Sequence, residues 1–378
     1  MEALSVALMT IPAAPAALGV FDSDWMIRIR RGAEAFVIPI LAIAASAALF
    51  SLFLLALGKS PVQFYQLIWL GGFGTPFSWS NTLLRAAPLM LTALAVAIPA
   101  RLGLTMIGGE GALVLGGLAA AAVSIPMIGG SNPWLMHVLM FIMACAIGAL
   151  WVGIAGSLRH HRGVNETIST LLLSYIAIAV MNFFVEGVLR DPADPNKPST
   201  KAMSSAEMLG KLPGIDVHWG LAFAVAACLL LYVLMYRTTF GFAAKIAGGN
   251  PRAALAQGLP VGKLIIVASM IAGACAGMAG YFEVAAVHGK ANASLAAGYG
   301  FTGILVAFLA RHHPLAIIPV AILFGGIAAA GGIIQRRMGL PDATVLLLQG
   351  LTFVVLLTSE TLYGRFRIFN PRIAAERT

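Results

Sequence analysis

The stretch Leu104–Gly117, LTMIGGEGALVLGG, sets a single carboxylate, Glu110, among glycines inside an apolar run. An ionisable side chain in hydrocarbon is costly and is kept where it lines a polar path or is paired within the protein. Gly108, Gly109 and Gly111 beside it would each cost about 1 kcal/mol in a regular helix interior, so they point to a broken helix or a very close neighbour. Irregular backbone at membrane depth is tolerated where protein buries it or water reaches it. Two readings of Glu110 stay open: hydrogen-bonded glue between helices, or a contact on a path across the membrane.

Working outward, the whole chain has the same character. Of its 378 residues 60% are hydrophobic and 10% charged, against about a quarter charged in soluble domains. Alternating strand patterns of a membrane barrel are absent from the sequence. The fold class expected is therefore an all-α polytopic membrane protein. Hydropathy gives about ten transmembrane helices, at 35–57, 82–100, 102–124, 134–157, 167–187, 218–236, 264–286, 292–310, 314–334 and 342–362. These bound a tail at 1–34, a membrane domain at 35–362 and a tail at 363–378.

The net charge of +9 is topological and does not point to nucleic acid. Arg28, Arg30, Arg31, Arg101, Arg159, Arg162, Arg237, Lys245, Arg252, Lys263 and Arg311 fall with the tail arginines on one side of such a topology. By the positive-inside rule both termini are cytoplasmic. Arg336 and Arg337 fall on the other side and run against the pattern. The N-terminal 20 residues lack a positive n-region and read as a tail, not a cleaved signal. Residues 188–217 form a polar, Pro-rich external loop, and 237–263 the longest cytoplasmic loop, in which Asn250-Pro251 opens a short helix closed by Gly258-Leu259-Pro260.

Enzymatic chemistry finds no support. Neither HExxH nor GxSxG occurs, and Cys145, Cys228 and Cys275 lie in separate spans with no metal spacing. Gly258–Leu264 (GLPVGKL) is one residue short of a phosphate loop and has Leu where Ser or Thr would hold magnesium. Other polar groups in apolar surroundings are Ser174, Asn182 and Gln349, candidates for a path. Asn165 reads as a helix N-cap, with Glu166 at the positive helix end.

A weak internal repeat sets GGEGALVLGGLAA beside GYGFTGILVAFLA, and Asn132–Val180 beside His313–Leu356. It places spans 2–5 over spans 7–10. An offset of five spans makes the halves opposite in orientation, as in inverted-repeat transporters.

At these motifs the chain resembles the permease subunits of binding-protein-dependent ABC importers, simple-sugar and nucleoside branch, related to the branched-chain amino-acid permeases. Gly103–Ala112 (GLTMIGGEGA) is similar to the family phrase GLFNIGAEGQ, and Gly163–Ala177 to GVNEVISTLMLNYIA. Gly248–Leu259 and Gly298–Gly326, with Gly298, Tyr299 and Gly300 at its head, resemble the coupling segment and the second-half core. The resemblance implies a type II ABC importer arrangement in a bacterial inner membrane. It implies Asn250, Pro251, Arg252, Ala253 and Gln257 as a docking helix for an ATPase subunit that holds ATP and magnesium, with no cofactor on this chain. It also implies a second homologous permease and a periplasmic or lipid-anchored binding protein. Met106, Ala112 and Ser174 depart from the family's polar residues, which implies a less polar solute than an ordinary nucleoside. The competing reading is an ion-coupled secondary transporter with Glu110 and Glu166 as its carriers.

Overall fold

The computed structural model describes residues 24–130, 132–193 and 197–360. The first 23 residues, the tail 363–378 with its arginines, and the side chains of Arg28, Arg30 and Arg31 lie outside what is described. In chain order the helices are α1 (Asp24–Ala56), α2 (Pro61–Gly72), α3 (Pro76–Ala100), α4 (Gly109–Ser124), α5 (Pro133–Arg162), α6 (Glu166–Glu186), α7 (Gly220–Arg237), α8 (Thr239–Gly249), α9 (Pro251–Ala256), α10 (Val261–Phe282), α11 (Tyr299–Leu309), α12 (Pro314–Ala329), α13 (Gly331–Met338) and α14 (Ala343–Glu360). The chain divides into two compact units, 1–49 with 354–378, and 50–353. Of the first, the described part is α1 through Leu49 and the end of α14. All contacts below lie within the second.

Among the described residues eight helices are long and apolar enough to cross a bilayer, and two shorter apolar helices accompany them, against the about ten expected. The expected spans 292–310 and 342–362 appear as shorter apolar helices. The expected span 102–124 is helical only from Gly109, and 314–334 breaks into α12 and α13. Helix α2, in a stretch read as loop, was hidden because its 12 residues fall below the roughly 20-residue window that hydropathy uses. Its start is local chemistry: Ser60 Oγ accepts the Gln63 N–H and Pro61 occupies the first turn.

Helix α3 is central. Every residue from Ala86 to Pro99 is buried, and the helix packs against α7, α10, α11 and α12. Hydrocarbon gives no hydrophobic drive between helices, so contact depends on small residues that let backbones approach. The α5–α10 seam is built this way from Gly148, Gly273 and Gly277, and a Cβ on Gly277 would overlap the Ala144 carbonyl. A second cluster, with Phe50, Leu54, Phe64, Leu67, Ile334 and Leu348 in its core, gathers α2 and α13.

Candidate functional site

After α3 ends, residues 104–108 run without helix and α4 begins at Gly109. Two hydroxyls of α6 hold this segment: the Ile107 N–H donates to Thr170 Oγ1 at 3.0 Å, and Thr167 Oγ1 donates to the Thr105 carbonyl at 2.7 Å. In the other half, residues 289–298 are largely non-helical and α11 begins at Tyr299. The N-termini of the two broken segments meet. Glu110, 1% exposed, accepts the Gly298 N–H at Oε1 (2.8 Å) and the Gly300 N–H at Oε2 (2.5 Å).

A helix start leaves its first N–H groups unpaired and carries a partial positive charge, so one carboxylate satisfies two donors of α11 from a residue 188 positions earlier. The glycines follow from this contact. Gly298 adopts φ 83°, in the region that L side chains rarely enter, and a Cβ on Gly300 would overlap the Glu110 backbone. A Cβ on Gly111 would stand 2.7 Å from Ser174 Cα. Thr92 Oγ1 of α3 lies 2.9 Å from the Pro88 carbonyl and 3.0 Å from that of Tyr299, adding a third helix to the junction.

Of the other residues singled out, Ser174 is fully buried and donates to the Thr170 carbonyl of its own helix at 3.0 Å. Asn182 is half-buried on α6. Gln349 is 5% exposed; its Oε1 lies 3.3 Å from Thr302 Oγ1, and its Nε2 has no hydrogen-bond partner among the described residues. Among the described residues no hydrogen bond joins Gln349 to Glu110. Asn165 caps α6 by accepting the Ile168 N–H at 3.1 Å, and Glu166 pairs with Arg159 at 3.3 Å. Asn250 caps α9 by accepting the Ala253 N–H at 3.1 Å, leaving Pro251, Arg252, Ala253 and Gln257 exposed.

Sequence reasoning missed Glu283, 3% exposed, in a π-helical turn Glu283–His288 where its Oε2 lies 3.4 Å from His288 Nε2. The signal was the one used for Glu110, a carboxylate in an apolar run. It also missed Glu207, which closes the external loop by accepting N–H groups from Gly129 and Ser204. Those donors hold the Glu207 carboxyl below the usual range. Burial pulls the His218 imidazole down to about 4, where it accepts the Gly220 N–H at 3.0 Å. Met106, Ala112 and Ser174 are all buried in helix contacts.

A polytopic helical membrane protein whose two broken helices meet at a buried carboxylate has the build of a permease. The chain belongs to the family described as the permease component of the branched-chain amino acid transport system, whose model matches residues 78–357. It is 34% identical to the glucose ABC transporter permease protein TsgB13 of Haloferax volcanii, over 88% of this chain and 90% of that one. It is 32% identical to the guanosine ABC transporter permease protein NupP of Bacillus subtilis, over 82% and 89%. It is 24% identical to NupQ of the same organism, also named a guanosine ABC transporter permease protein, over 73% and 89%. The chain is a multi-pass membrane permease subunit of an ABC transporter, a family distinct from the ATPase that drives it.

Proposed function

We propose that the chain is one of two permeases that together import a nucleoside or a simple sugar. The carrying observation is the near full-length similarity to permeases named for glucose and guanosine. Two distinct relatives in one organism, both named for guanosine, support pairing with a second, non-identical permease. The partner ATPase would dock at α8–α9. Support comes from a short capped helix that leaves Arg252, Leu255 and Gln257 exposed while α8 and α9 rest against the spans α7 and α10. Both termini would be cytoplasmic, in a bacterial inner membrane, with a binding protein delivering solute at the outer face. The repeat reading gains support from the meeting of α4 and α11, aligned elements whose N-termini share Glu110.

In this scheme Glu110 is architectural, and Gln349 is the better candidate for solute contact. A buried amide hydrogen without a partner is costly, and a hydroxyl-rich solute supplies the acceptor. Alternating access follows if ATP-driven movement of α8–α9 changes the relative stability of the outward and inward states.

The test is reconstitution with the second permease, ATPase and binding protein, with uptake of labelled guanosine and glucose and an Arg252→Glu variant. ATP-dependent uptake of either solute, lost together with ATPase co-purification in the variant, is expected. Uptake by the chain alone on an ion gradient, indifferent to Arg252→Glu, would overturn the proposal in favour of a secondary transporter.

A further inference from the structure

Helix α5, with 30 residues, is about 45 Å long and outruns the roughly 30 Å hydrocarbon layer. Its basic last turn, Arg159-His160-His161-Arg162, therefore stands in the headgroup region. Beside it, a groove of about 350 Å³ runs along the outer surface of α5 and α10. Its wall is apolar, from Leu150, Ile154 and Met270, and its end is closed by Ser157, His161 and Arg162. Gly153 opens the groove: a Cβ there would stand 2.9 Å from Met270 Cγ. From Leu150 to Arg162 is about 18 Å at 1.5 Å per residue, just over half the hydrocarbon thickness and so about one leaflet.

Lys263 lies one turn before Ile266, a groove residue of α10, on the same helix face. Arg162 and Lys263 are exposed, and neither pairs with a carboxylate among the described residues. Arg159 is engaged by Glu166. Cations at a helix C-terminus also offset the helix dipole, but that accounts for α5 alone, not for Lys263 at the start of α10 or for the apolar groove above them. A channel one leaflet long, apolar throughout and basic only at its headgroup end, repeats the order of charge and hydrocarbon in an acidic phospholipid.

We propose that the α5–α10 groove binds one anionic phospholipid of the leaflet at which α5 ends, its phosphate on Arg162 and Lys263 and an acyl chain along Leu150, Ile154 and Met270. The site needs only the membrane, whatever the solute. The assembled transporter is reconstituted in phosphatidylcholine vesicles doped with phosphatidylglycerol that carries a photoreactive diazirine in its acyl chain. Labelling is expected at Leu150, Ile154 or Met270, competed by unlabelled phosphatidylglycerol and not by phosphatidylcholine. Arg162→Gln with Lys263→Gln, both on exposed side chains, should weaken that competition roughly 30-fold, about fivefold per charge. Equal labelling by a phosphatidylcholine probe would overturn the proposal. So would competition by inorganic phosphate with no acyl-chain labelling, the mark of a soluble anion. Cross-linking of an Ile154→Cys variant to the second permease would overturn it too, since the face would then be a subunit interface.

Discussion

Replacing Glu110 separates its two readings. Both carboxylate oxygens accept backbone N–H groups of the other half, at 2.8 and 2.5 Å, and hydrogen bonds to charged groups contribute about 1.5–3 kcal/mol each. Glu110→Ala removes both and leaves two donors at the head of α11 without their acceptor, that of Gly300 buried, a loss of roughly 3–6 kcal/mol. Glu110→Gln keeps one acceptor and turns an NH2 group toward the other N–H, so about half of that is lost. At roughly 2 °C per kcal/mol, the low end for large domains, the melting midpoint of the purified complex should fall by about 5 °C in Glu110→Gln and about 10 °C in Glu110→Ala. Fluorescence-detected melting, with ATP-driven uptake in parallel, reads both quantities. An isosteric Gln that leaves the midpoint at the wild-type value while abolishing transport would refute the capping argument and make Glu110 a carrier.

Gln349→Leu removes a buried amide whose Nε2 has no partner among the described residues. Melting should be unchanged or slightly raised while the apparent KM for solute rises, and uptake kinetics check the split. His218 binds protons less readily folded than unfolded, because burial holds it near 4 against an ordinary value of 6.5. The unfolded chain takes up the proton first as pH falls, so this contribution to stability is full above about pH 6.5 and is lost progressively toward pH 4, by about 3 kcal/mol. Melting of wild type and His218→Asn between pH 7.5 and 4 checks it, the variant showing the smaller fall. Glu207→Ala should free the external loop from Gly129 and Ser204, seen as faster amide exchange over 203–209 with the membrane spans unaffected. Its lowered pKa makes the same contact fade as pH falls through the carboxylate range.

Hydropathy recovered the membrane class and most span positions, because twenty apolar residues in a row admit few other fates. It could not place every helix start. Residues 104–108 are as apolar as the helix after them, and the hydroxyls of Thr167 and Thr170, some sixty positions away, hold them outside a helix. Helix caps were legible: Asn165 and Asn250 sit before helices and accept the expected N–H groups, since that chemistry is complete within four residues. The partner of Glu110 was not. Glycines announced an unusual backbone around Gly109, but that it meets the segment at Gly298 is a tertiary fact, visible in the sequence only as a faint repeat.

That meeting bears on how a distant motor could act on the path. The end of α8 is seated on the turn after α3, where a Cβ on Gly248 would overlap the Arg101 carbonyl. Arg101 is itself held there, its guanidinium 3.9 Å over the Tyr236 ring of α7. From that turn only residues 104–108 separate α8 from Glu110, and they are anchored to α6 and not free to absorb displacement. Close-packed elements of this kind shift between discrete arrangements and do not deform continuously. Movement of α8–α9, the proposed docking segment, would then reach the first half through its turn and the second half through the Glu110 carboxylate. The two halves need not be pushed separately, because one residue holds the start of the helix in each.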